Sequence, residues 1–315
     1  MRFALQLGLL VLLLVPQISH SAEGKPFEPG GNDPLARAQE CLAQVKRKPT
    51  DYEAQRCYVS AMMRRDLIEQ LAEELGDLHA QHSTTGQFAY WLYRVAVDHS
   101  AELAKKALKA CVDASDAAPW CLLGQSEFMA RENELSSALR LIQRARAQAL
   151  EDPIFAFQEV RVQLAMGETK YALELAQRIA EKSPLALPSQ LALAVSYVAD
   201  LQFGEARKRI SWCISRYPDD PMPHLILARL LDEVGQREAS IEALQAAVSA
   251  TPRTQAPRSK LARALLKAGR PRVAIEHFTV LLDQSPHHRR YQIELGEALL
   301  AAGAPQRALG WAEAT

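Results

Sequence analysis

Five cysteines carry the most legible chemistry in this chain: Cys41, Cys57, Cys111, Cys121 and Cys213. Cys41 and Cys57 stand eight residues either side of Pro49, and Cys111 and Cys121 five residues either side of Asp116. Residues equidistant from the turn of a helical hairpin come face to face, so each pair falls within disulfide reach. Each bridge would stabilise the fold by roughly 2–4 kcal/mol. The competing reading is that these cysteines fill sites that want a small side chain, since Cys111 and Cys213 share a 34-residue step with Ala145 and Ala247. Cys213 is expected to be free and buried.

Other reactive types are present without a reactive arrangement. His79 and His82 would share one helical face, but no third ligand stands at a metal-binding spacing, and His287-His288 reads as a polar linker. There is no phosphate-cradling Gly loop, no Gly-x-Ser-x-Gly elbow and no Cys–His arrangement that a fold would bring together. The expectation is no catalytic residue, no metal and no cofactor. A helical enzyme or enzyme subunit is the competing class, and it would need a buried cluster of titratable groups.

Charge adds little. Lys plus Arg and Asp plus Glu number 37 each, which gives no reason to expect nucleic acid. From Thr251 onward ten basic residues face five acidic ones, a local bias toward an acidic contact or simply a solvated surface. Hydrophobic residues at 48% suit an ordered chain.

The chain opens like a secretory signal. Arg2 precedes a thirteen-residue apolar run from Phe3 to Val15, Pro16 breaks it, and Ser19 and Ser21 fit a peptidase site. The run is shorter than the roughly 20 residues that cross a bilayer. Residues 1–22 are therefore read as a cleaved signal, with an uncleaved anchor as the alternative, and 23–33 as a Pro- and Gly-rich lead-in. The expected location is the periplasm or the outside of the cell, with no transmembrane segment after signal removal.

What must position any binding residues is a succession of helices with a period. Pro184, Pro218, Pro252 and Pro286 lie 34 residues apart, a coincidence with odds of roughly one in ten thousand if Pro fell at random. Leu193, Leu227, Leu261 and Leu295 keep the same step, as do Gly167, Gly235, Gly269 and Gly303. So do Ala138, Ala172, Ala206, Ser240, Ala274 and Ala308. Gly suits the turn ending a first helix, a small residue in the second helix allows close approach, and Pro closes the pair. One pair cannot bury its own apolar stripe, so units stack.

These residues resemble tetratricopeptide repeats. Leu295-Gly296, Tyr197, Ala274, Phe278 and Pro286 match that family's pattern. Units are placed at 153–186, 187–220, 221–254, 255–288 and 289–315, the last incomplete. A weaker unit at 119–152 opens with Trp120, Leu123 and Gly124 and needs a two-residue shift to fall in phase. A faint one lies at 85–118. The resemblance implies an all-α, right-handed superhelical solenoid, with 119–315 as the array and 34–118 as an N-terminal cap holding a degenerate repeat. Residues 34–84 are expected to shield the first unit's apolar face.

In that family the first helix of each pair lines a concave groove. Carried over, the groove comprises Phe157, Leu191, Leu225, Ser259 and Ile293, then Arg161, Val195, Arg229, Arg263 and Glu297, then Leu164, Val198, Asp232, Leu266 and Leu300. Apolar anchors beside a line of Arg suit a peptide or protein partner with acidic side chains, or an anionic polysaccharide. The bland alternative is that the Arg stems cover neighbouring aliphatics. The paired Asn of the groove that captures chaperone C-termini is missing. The expected function is a cell-envelope interaction scaffold, or else the repeat portion of a larger envelope assembly or export protein.

Overall fold

A computed structural model describes residues 34–314 except 65–67, 83–85, 98–100, 115–117, 150–151, 253 and 287. The signal and lead-in over 1–33, Asp116 and His287 lie outside the described residues. Among the described residues there are seventeen helices and no strand.

The repeat is strict in the backbone. First helices of thirteen residues begin every 34 positions: α6 (Pro119–Arg131), α8 (Pro153–Ala165), α10 (Leu187–Ala199), α12 (Pro221–Glu233), α14 (Gln255–Lys267) and α16 (Arg289–Ala301). Second helices of fourteen follow: α7 (Leu135–Gln148), α9 (Thr169–Lys182), α11 (Phe203–Arg216), α13 (Arg237–Ala250) and α15 (Pro271–Gln284). After them comes α17 (Pro305–Ala314). The unit at 119–152 therefore needs no shift. Leu123-Gly124 is an out-of-register likeness, and the in-register small residue is Ser126, fully buried and donating to the Ala138 carbonyl at 2.8 Å. Ser240 makes the equivalent bond to Ala228 at 3.0 Å.

Side chains explain the corners. Ala138, Ala172, Ala206, Ser240 and Ala274 are each 0% exposed, which lets the paired helices touch. Between first and second helices the backbone turns left-handed at Asn133, Gly167, Leu201, Gly235, Gly269 and Gly303, again 34 residues apart. Between units, Gln190 donates to the Pro184 carbonyl at 2.6 Å and Gln292 to that of Pro286 at 2.9 Å, so a carbonyl of the connecting turn is satisfied by the helix that follows. Asp152 and Asp220 cap α8 and α12 by accepting from Ile154 and Met222 backbone N–H groups. The apolar faces join into one core running from Ala38 to Leu299.

The N-terminal segment adds five helices, of which only the first two leave the stacking. It comprises α1 (Pro34–Arg47), α2 (Tyr52–Arg64), α3 (Ile68–Gln81), α4 (Gln87–Ala96) and α5 (Ala101–Ala114). Here α2 and α3, thirteen and fourteen residues long, match a repeat pair, and Gln55 donates to the Pro49 carbonyl as Gln190 does to Pro184. Yet α2 packs mainly on α1 and only slightly on α3. Of the segment expected to shield the array's end, only α3 lies against α4 in that way. The α1–α2 hairpin instead reaches the α11–α12 corner, where Arg37 pairs with Asp219 at 2.9 Å and Arg56 with Asp220 at 3.0 Å. Disulfides join Cys41 to Cys57 across α1–α2 and Cys111 to Cys121 across α5–α6, with Cα separations of 5.9 and 5.5 Å. Cys213 is free and buried.

Candidate partner-binding groove

The groove residues expected from the repeat fall into two environments. Toward the N-terminal end, Phe157 is 6% exposed and Leu191 4%, because both line a cavity of about 140 Å³ whose opposite wall is α2, through Tyr52, Arg56, Val59 and Met63. Val198, at 1%, belongs to the core and cannot touch a partner. Ser259 is likewise buried, its hydroxyl donating to Ala256. Leu164 and Val195 are half-buried against the core. The family pattern places these side chains on first helices correctly, but it carries no information about a segment folded over them.

Aromatic packing explains why α2 sits there. Tyr52 stacks on Trp91 and on Trp120 with ring centroids 5.6 and 5.8 Å apart, and Trp120 meets Phe155 edge-on at 5.1 Å. Such pairs are worth about 0.5–1.5 kcal/mol each beyond their burial. The Trp91 indole N–H donates to Gln55 at 2.6 Å. Beside this cluster Glu127 is buried, accepting from Tyr90 at 3.2 Å and pairing with Arg94 at 3.0 Å. Burial works against its charge, but Arg94 and then Arg161 outweigh it and hold the carboxyl below its usual range. Arg161 lies 3.9 Å from Glu127 and donates to Gln158, so this Arg of the expected line is partly committed within the protein.

Farther along, the face is open. Leu225 and Leu266 are half-buried, while Arg229, Asp232 and Glu297 are exposed, Ile293 is 53% exposed and Leu300 60%. Between α12 and α14 a cavity of about 540 Å³ is walled by Leu225, Arg229, Asp232, Lys260, Arg263 and Lys267, with Arg237 at its rim. Arg263 pairs with Glu294 at 2.6 Å, an acceptor it shares with Arg290. Among the described residues no carboxylate pairs with Arg229 or Lys260. Lys260 is exposed at the concave wall, where desolvation and then the charges of Arg263 and Arg229 lower its pKa, so three cations from α12 and α14 line one cavity. Lys260 and Lys267 escaped the repeat columns because each sits one position beyond a groove residue. The excess of Lys and Arg after Thr251 was their only sequence signal.

Among the described residues no three His, Cys, Asp or Glu gather as a metal would require. His82 packs near Phe88, with ring centroids 5.8 Å apart, and burial lowers the pKa of His79. Among the described residues no helix is long and apolar enough to cross a membrane.

Residues 259–315 match the tetratricopeptide repeat family pattern. No curated protein is matched by the sequence. Among solved structures, a thermophilic tetratricopeptide protein of Thermus thermophilus is 24% identical, with a TM-score of 0.51 over 58% of this chain and 100% of its own. MamA from Desulfovibrio magneticus RS-1 is 19% identical, with a TM-score of 0.37 over 54% and 96% of the two chains. The Cut9-Hcn1 hetero-tetramer of the APC/C matches at 14% identity, with a TM-score of 0.49 over 83% of this chain and 52% of its own. The first shares the fold, and the other two are too distant to argue from. The 34-residue register of its helices and that shared fold make this chain a helical repeat solenoid, and its last units match the tetratricopeptide repeat family.

Proposed function

We propose that the chain is an exported, non-catalytic scaffold that holds an acidic peptide segment of an envelope protein in the open half of its concave face. The observation that carries this reading is the convergence of Arg229, Lys260 and Arg263 around a cavity lined by Leu225, with Leu266 half-buried on the same helix as Lys260. Crowded cations repel one another, and a carboxylate among them gains charge-assisted hydrogen bonds while relieving that repulsion. Half-buried leucines alongside supply apolar anchors. Export is supported by the signal-like N-terminus and by four cysteines paired as disulfides, which persist in oxidising compartments.

The test is the affinity of a synthetic peptide alternating Leu and Glu for the full chain, against an uncharged control and a polyuronate oligosaccharide. Charge reversal at Arg229 and Lys260 together is expected to weaken the acidic peptide by about tenfold or more, with helicity unchanged. Equal affinity before and after, or binding of the polysaccharide alone, would reject the peptide reading.

A further inference from the structure

We propose that the cavity enclosed by α2, α4 and the first helices α8 and α10 is a binding site for a small aromatic carboxylate, with the ring held inside and the carboxylate on Arg161. Its volume, about 140 Å³, is close to the roughly 150 Å³ of an apolar cavity that takes up benzene. Tyr52, Tyr90, Trp91 and Phe157 bring ring surface to its wall, and Val59 and Leu191 add aliphatic surface. An apolar lining with a few convergent polar groups is the usual form of a small-molecule site. The site is separate from the basic cavity walled by Arg229 and Lys260, and the proposal does not rest on the acidic-peptide reading.

The charges give the ligand its sign. Three Arg line the cavity against two carboxylates, Glu127 and Asp220. Arg56 pairs with Asp220 at 3.0 Å, and Arg94 pairs with Glu127 at 3.0 Å. Arg161 is left 3.9 Å from Glu127 and donates to the neutral Gln158 side chain at 3.0 Å. It therefore has no carboxylate of its own. Desolvation acts on it most strongly and outweighs Glu127, which lowers its pKa, so an added anion relieves the guanidinium. Its guanidinium carbon lies 5.8 Å from the Phe157 ring centre, so a carboxylate on Arg161 and a ring beside Phe157 can belong to one molecule. Access follows the same order. The Arg161 side chain is 43% exposed, whereas those of Arg56 and Asp220 are 13% and 11% exposed. The unmatched cation stands on the side that solvent reaches, and the matched pair lies deeper.

The experiment titrates benzoate into the full oxidised chain by isothermal calorimetry. Benzyl alcohol is the uncharged counterpart, and the tripeptide Gly-Gly-Phe is the other source of a phenyl ring with a carboxylate. Benzoate is expected to saturate a single site with a dissociation constant of about 1 mM or below, and benzyl alcohol to bind about tenfold more weakly. Arg161→Gln is expected to weaken benzoate by about tenfold, and Leu191→Phe to abolish binding by filling the cavity, both with helicity unchanged. If Leu191→Phe loses helicity, Arg161→Gln and the benzyl alcohol titration decide. Neither variant touches Arg229 or Lys260, so the outcome is read independently of the peptide test. No saturable binding of benzoate, equal affinity for benzyl alcohol, affinity unchanged by Arg161→Gln, or tighter binding of the tripeptide would overturn the proposal.

Discussion

Among the described residues, Leu201 is the one position where the repeat demands a conformation its residue resists. It has φ 59°, in the turn column otherwise held by Asn133 and four glycines. A left-handed conformation costs an ordinary L-residue about 1–2 kcal/mol. Replacing Leu201 with Gly removes that strain and returns about 0.4–1 kcal/mol of it as greater freedom in the unfolded chain. Little else changes, because Leu201 is 66% exposed and buries little. Leu201→Gly should therefore raise stability by about 0.5–1 kcal/mol. The matching control is Gly235→Ala, at φ 76°, where an added Cβ meets nothing within 4 Å. Its loss of about 1 kcal/mol would report backbone strain alone. The assay is urea denaturation followed by far-UV circular dichroism, comparing midpoints at constant slope. A lower midpoint for Leu201→Gly, or no change for Gly235→Ala, would refute the reasoning that these turns share one strained geometry.

Two further outcomes concern titratable groups. Because Arg94 and Arg161 depress the Glu127 pKa in the folded protein, its contribution is present above the ordinary carboxylate value of 4.5 and is lost as pH falls through the depressed one. Glu127→Gln should cost about 2–3 kcal/mol at neutral pH and flatten the acid limb of the stability profile, and an unchanged limb would show that Glu127 is not the titrating group. Burial first, and then the charge of Asp220, push the Cys213 thiol up to about 12, so it stays protonated at mildly alkaline pH. Iodoacetamide should leave the native chain unlabelled and add one group per chain after unfolding without reductant; two or more would mean that a disulfide is open.

The repeat was legible because it is a backbone property: Pro184 through Pro286 and the glycine turns recur wherever the chain must change direction, whatever the surface does. The same columns misled at Gly124. That residue serves a close approach to α5, where a Cβ would come within 2.8 Å of Leu108, and does not fill the small-residue column. Phe157 and Leu191 were placed on the right helices, but their covering by α2 depends on tertiary contacts such as Tyr52–Trp91, Tyr52–Trp120 and Arg56–Asp220, which no local pattern encodes. Tyr52, Trp91 and Trp120 build the aromatic part of that contact, and in sequence only Trp120 carried a reading, as the opening of the unit at 119–152. Lys260 was invisible for the opposite reason, since it occupies a column that is apolar or amide in earlier units, at Ala192, Ile226 and Gln158.

Site-specific photo-crosslinking in intact cells tests the central claim most directly. A photoreactive residue in place of Arg229, on the open wall, is compared with one in place of Tyr171, 41% exposed on second helix α9. The account predicts a discrete protein adduct from position 229 that disappears on Lys260→Glu, and none from position 171. Adducts of equal yield from both, or none from position 229 alone, would contradict a partner held in the basic half of the groove.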